Sequence, residues 1–199
     1  MQPRIPRQSA HDRGVRRPDD VAGLGAEPAA VVAGARRRAV RDGDRQIDTA
    51  HLLHSLLESD PEVRAVIGEA PQVARLLGYL VQRSIGYGLR WRSAVEDSGA
   101  VPVLTSGPRP GGAGPTGIEP RDAAGWSPLA AAAVEHAREC AARRGDAQAR
   151  GIDLLAGIVV DPQARAVEVL GRARVEVRDL RERIERRAGE YAGGGGTPR

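Results

Sequence analysis

His51 and His54, three residues apart with Asp48 and Glu58 beside them, are the side chains of this chain that come nearest to a metal-binding set. Imidazole and carboxylate suit zinc, and an i, i+3 pair on a helix shares one face. No third strong ligand follows at a matching interval, so capping for His51 and a surface position for His54 carry more weight. Cys140 with His136 four residues before it is the second chemical pairing, a thiol within helical reach of a base. A catalytic thiol also needs a lowered pKa and an oxyanion donor, and the pattern supplies neither, so Cys140 reads as a bystander.

The basic residues exclude more than they assign. All 30 are arginine, so the lysine of a phosphate-binding P-loop and the amine of a Schiff base are both lacking. Arg36, Arg37, Arg38 and Arg41 form a basic helix surface that phosphate or an acidic partner could meet. Yet the net charge is only +4, with 26 acidic residues interspersed among the arginines, which is the pattern of a solvated surface. Tyr87, Arg90, Trp91 and Arg92 fall together in a chain with only 3% aromatics. They either cover the core as a lid or present an anchor patch, aromatic and arginine being the common hot-spot types.

These residues need elements to hold them, and the elements come in pairs. An offset of 102 residues superposes Gly43 on Gly145 and Leu52-Leu53 on Leu154-Leu155. Val32, Ala35, Ala39 and Val40 fall on Val134, Ala137, Ala141 and Ala142 under the same shift, read as one helical face in each copy. Glu27-Pro28 and Ser127-Pro128 mark helix starts, with proline expected in the first helical position, and Gly43 and Gly145 mark the ends. Asp48-Thr49 caps a helix running to about Glu58. Asp60-Pro61 and Asp161-Pro162, now offset by 101, predict third helices, and fourth helices follow over 71–84 and 174–188.

The chain thus reads as all-α, two tandem four-helix repeats forming a pseudo-twofold eight-helix domain. With no phenylalanine, Ala, Val and Leu must fill the core, which favours close helix packing over a sheet. Residues 1–23, with Pro3, Pro6 and Pro18 among charges, are expected as a disordered arm. Repeat one spans 24–84, an insertion and linker 85–125, and repeat two 126–188. Residues 189–199, ending in Gly193 to Gly196 and Thr197-Pro198-Arg199, are expected as a flexible tail. A short extended segment is expected at Val101-Pro102-Val103-Leu104.

Thr49-Ala50-His51-Leu52-Leu53 after the Gly43 turn, and Trp126-Ser127-Pro128 opening the second repeat, give the doubled pattern a familiar look. It resembles the N-terminal (Clp R) domain of the Clp ATPase chaperones, best the ClpC type. The resemblance implies an eight-helix domain that receives substrates or adaptors for an ATP-driven unfoldase, here as a stand-alone protein without the ATPase modules. It also directs attention to particular positions. In the ClpC-type domain the glutamate of each Thr-Glu-His reads arginine-phosphorylated substrates, and the matching positions here are Ala50 and Ile152. Neither side chain pairs with a cation, and Asp153, one position along, is the nearest carboxylate. A phenylalanine that forms part of a surface occupied by some cyclic-peptide antibiotics is Leu24 here.

The functional expectation is a non-enzymatic module that binds protein or peptide segments, an adaptor, regulator or decoy in Clp-linked turnover. Leu24, Thr49, His51, Tyr87, Arg90, Trp91, Arg92 and Asp153 are the candidate binding residues. No cofactor and no metal is expected. Partners would be a Clp ATPase or its substrates, or a peptide-like small molecule such as an antibiotic that targets those ATPases. The alternative is a nucleic-acid-associated regulatory protein using its arginine surface, and membrane association is not expected. One cysteine, no signal-peptide core of about 7–15 apolar residues and no run near ~20 apolar residues predict a cytoplasmic protein.

Overall fold

The computed structural model describes residues 21–84, Glu96 and residues 125–193. Eight helices carry them: α1 (Ala26–Asp42), α2 (Thr49–Ser59), α3 (Pro61–Ile67), α4 (Ala70–Ser84), α5 (Pro128–Arg144), α6 (Gly151–Ile158), α7 (Arg165–Arg172) and α8 (Val177–Gly193). Two strands of two residues accompany them, β1 (Gln46–Ile47) and β2 (Gly125–Trp126). The domain is all-α, four helices to each repeat.

The short strands, which the helical periodicity did not predict, show how the repeats interlock. β1 follows α1, β2 precedes α5, and they pair in parallel with Ile47 opposite Trp126. Leu24, before α1, forms a parallel bridge with Ala149, after α5. Those two pairings exchange under the 102-residue offset. The same is true of the 2.9 Å bonds from Ser127 N–H to the Ile47 carbonyl and from Gly25 N–H to the Ala149 carbonyl. Each repeat therefore lends the strand before its first helix to the other, which is the signature of a pseudo-twofold pair.

Helix ends follow local chemistry. Gly43 and Gly145 close α1 and α5 in the left-handed conformation, φ 71° and 78°, where a Cβ would be strained. Ser127 caps α5 by accepting from Ala130 N–H at 3.0 Å, and Asp60 caps α3 with Pro61 in the first turn. Pro28 is the third residue of α1 rather than the first, still among the N–H positions that have no helical partner. The second-repeat Asp161-Pro162 heads a turn instead of a helix, and α7 starts only at Arg165. The reason is distant in sequence: Glu96 accepts Arg165 N–H at 2.8 Å and Thr49 Oγ1 accepts Ala166 N–H at 3.1 Å, so the first orphan donors of α7 are satisfied there.

α2 and α6 form the centre. Every residue from Thr49 to Leu57 is buried, as are Leu154, Leu155 and Ile158, which is what a helix surrounded on all sides requires. Alanines let the helices approach. A Cβ on Gly157 of α6 would lie 2.2 Å from the Ala133 carbonyl oxygen of α5, so only glycine allows that crossing. α8 continues through Gly193, past the expected helix end, and Tyr191 is its anchor. The Tyr191 hydroxyl bonds Glu62 on α3 and its ring lies 4.0 Å from the Arg150 guanidinium.

Candidate functional site

Two regions bring the candidate residues into contact, and a groove adjoins the second of them, lined in part by its Arg144 and Asp153. The first region is a buried polar cluster between the repeats. Asp48 caps α2 by accepting from His51 N–H at 2.9 Å, while Asp48 N–H donates to His51 Nδ1 at 3.2 Å, a reciprocal capping box. His51 Nε2 faces Asp44 at 3.1 Å. Arg165 reaches from the other repeat to Asp48 at 2.6 Å, a buried ion pair. Glu96 completes the cluster, accepting from Thr49 N–H at 2.9 Å, from the Thr49 hydroxyl, from the Ser127 hydroxyl at 2.6 Å and from Arg165 N–H. A buried carboxylate is stable only when its lone pairs are met in this way.

The second region is its mate in repeat two. Asp153 occupies the α6 position that His51 occupies on α2, and accepts Arg150 N–H at 2.8 Å. Arg144 clamps it bidentately at 2.5 and 2.7 Å, and Asp153 is 2% exposed. Hydrogen bonding to Asp153, more than charge proximity, raises the Arg144 pKa further above its ordinary value. The one helix position thus carries a histidine facing an acid in one repeat and an acid facing an arginine in the other.

The sequence candidates therefore divide. Thr49, His51 and Asp153 are interior, with intramolecular partners, and Leu24 is buried in its bridge to Ala149. Tyr87, Arg90, Trp91, Arg92 and the segment Val101–Leu104 lie outside the described residues. Ala50 and Ile152 are fully buried, which removes both from any surface. His54 is buried too, correcting the surface position expected for it, and burial followed by the Arg38 charge lowers its pKa to about 4. Cys140 is half-buried; burial pushes its thiol up, away from a reactive thiolate, although Arg143 lies 3.0 Å from its Sγ. Among the described residues no group of three His, Cys, Asp or Glu is placed to hold a metal ion.

The groove lies between α5, α6 and α8 and encloses about 640 Å³. Ala156, Val159, Ile184 and Ala188 line its apolar part, with Val160 at the edge, and Arg143, Arg181 and Glu185 stand on its rim. His136, Cys140 and the Arg144–Asp153 pair also line it, so the groove joins an apolar floor to several polar groups, and its volume is within the common range of ligand sites. Among the described residues no helix is long and apolar enough to cross a membrane.

Solved structures share this arrangement. The Hsp104 N-terminal domain from Candida albicans superposes with a TM-score of 0.59 at 10% identity, over 83% of this chain and 91% of that one. This is a Clp-type N-terminal fold. The N-terminal domain of the caseinolytic protease associated chaperone ClpD from Arabidopsis thaliana matches with a TM-score of 0.54 at 15% identity, over 84% of this chain and 95% of that one. A chain described in a structural investigation of a malarial protein secretion system matches at 0.57 and 12%, over 84% and 96%. No protein-family model matches the sequence, and no curated protein matches it at a significant level. Within the Clp-type fold, reasoning from motifs missed Glu96 and Arg165, because their partners are 31 to 117 residues distant in sequence. It singled out Asp153, Cys140 and His136, which line the groove, but not the groove itself, whose walls come from α5, α6 and α8.

Proposed function

We propose that this chain is a non-enzymatic protein- and peptide-binding module, an adaptor, regulator or decoy in Clp-linked protein turnover, and that it takes polypeptide segments on the α5–α6–α8 groove. The observation that carries this is the groove itself, apolar inside and charged at the rim, on a fold shared with N-terminal domains of Clp and Hsp104 chaperones. Those proteins lend the fold; the groove residues are this chain's own. A peptide-like small molecule would fit the same chemistry.

The arginine surface supports nucleic acid less well than its sequence suggested. Arg38 pairs with Glu58 and Arg41 lies 3.1 Å from Asp42, so the α1 arginines are interleaved with acid. Titration of the chain with a labelled unfolded polypeptide tests the module reading, with saturable binding that keeps most of its affinity at high salt, through its apolar contacts, as the expected result. If instead an oligonucleotide bound with an affinity falling steeply against log[salt], and the polypeptide did not bind, the nucleic-acid reading would replace it.

A further inference from the structure

The two repeats differ at the positions that form the groove in repeat two. In repeat one Arg38 bonds Glu58, and His54 Nε2 lies 3.5 Å from the same carboxylate, so three polar side chains close the surface between α1 and α2. The 102-residue offset replaces Arg38 by Cys140, His54 by Ala156 and Glu58 by Val160. All three replacements are smaller or apolar, and they remove both charges. Val160 is left 50% exposed, among the few large apolar side chains on the described surface.

The rim has a sign. Asp153 is neutralised by Arg144 and offers no charge to an incoming group. Arg181 donates through Nε and Nη2 to the carbonyl oxygens of Val159 and Val160 at the end of α6, acceptors whose dipoles favour the cation without cancelling its full charge. The Arg143 side chain is 62% exposed, with its nearest carboxylate, Glu139, at 3.9 Å. Against these two arginines the groove sets Glu185. The complement of this surface is an apolar side chain next to an acidic one.

We propose that the groove binds an extended acidic peptide segment, with a leucine-like side chain entering between Ala156, Val159 and Ile184 and an adjacent aspartate or glutamate meeting Arg143. The proposal rests on the binding-module reading and adds the class of segment. It also assigns the specificity to repeat two alone, since repeat one holds Arg38, His54 and Glu58 where the floor would be.

The test uses the full chain and a fluorescein-labelled peptide with Asp-Leu-Leu-Asp in a Gly/Ser context, followed by anisotropy. Changing both leucines to serine should weaken binding about 10- to 100-fold, the effect of losing one buried leucine side chain. Changing both aspartates to arginine should weaken it about tenfold or more, by removing the pairing with Arg143 and adding repulsion. The triple variant Cys140→Arg/Ala156→His/Val160→Glu transplants the repeat-one triad and should abolish binding of the parent peptide. Arg143→Ala, at an exposed side chain, should weaken the parent peptide and not its arginine counterpart, and it keeps the test decisive if the triple variant does not fold. Equal affinity for the aspartate and arginine peptides, or unchanged affinity in both protein variants, would overturn the proposal. An unfolded polypeptide that still binds to those variants would leave the module reading standing with its site elsewhere. Failure of every polypeptide probe to bind would remove both.

Discussion

Glu96 accepts a 2.6 Å hydrogen bond from the Ser127 hydroxyl, joining a residue from outside the repeats to the cap of the first helix of repeat two. Its other donors are the N–H groups at the heads of α2 and α7 and the Thr49 hydroxyl. Three helix starts from both repeats thus converge on one carboxylate. N-terminal helix ends favour negative charge, so the repeats are joined here by a fixed anion as well as by apolar packing.

Glu96→Ala should destabilise the domain by roughly 2–4 kcal/mol, because it leaves buried N–H and O–H donors at Thr49, Ser127 and Arg165 without their acceptor. Glu96→Gln keeps one carbonyl oxygen and should cost less. Urea unfolding of the three proteins measures both. A loss below about 0.5 kcal/mol for Glu96→Ala, the usual range of an inert surface change, would mean that the cluster is not structural.

Arg144 offers a contrast with an exposed pair. Arg144→Ala strands Asp153, 2% exposed, without its bidentate partner, and should cost about 3–5 kcal/mol. Arg172→Ala breaks a 2.6 Å pair with Glu168 on the surface of α7 and should cost under about 1 kcal/mol. Thermal or urea melts that ranked the two variants equally would show that burial is not what makes the Arg144 pair strong.

The paired helices were legible in the sequence because glycine stops and apolar spacing are local signals that recur under one offset. Gly43 and Gly145, Asp48, Asp60 and Ser127 act as the helix ends that their residue types announce. What could not be read was decided across the repeats. The late start of α7 depends on Thr49 and Glu96, and the exchange of strands depends on Ile47 meeting Trp126. The groove was hidden for a related reason: the contrast of Arg38, His54 and Glu58 with Cys140, Ala156 and Val160 is plain in the aligned repeats, but that these positions share one surface is a fact of packing.

His54 supplies a pH signature. Buried and beside Arg38, it stays neutral in the native state down to about pH 4, whereas an unfolded histidine protonates near the ordinary imidazole value of 6.5. Between those values the unfolded chain binds the extra proton, so stability rises with pH across the window and this group adds no slope above it. The slope contributed is at most about 1.4 kcal/mol per pH unit. In His54→Leu it should disappear, so the difference in unfolding free energy between the variant and the parent should change from pH 6.5 to pH 4.5 in the variant's favour. Two stability curves that stayed parallel over this interval would place His54 in a water-accessible setting instead.

The buried position shared by Ala50 and Ile152 leads to the last expectation, for free phosphoarginine. The resemblance to ClpC-type domains would place a guanidinium-reading glutamate at each site, but here both side chains are apolar and fully buried. Asp153 does not replace them, since both of its oxygens are held by Arg144 and one also by Arg150 N–H. A cationic guanidinium arriving at Asp153 would have to displace an arginine already bonded bidentately, exchanging like for like at the cost of opening the α6 start. Calorimetry with free phosphoarginine should therefore give no binding heat up to millimolar ligand. Micromolar binding that was lost in Asp153→Asn would show that the clamp opens and that repeat two has kept the reading by a different residue.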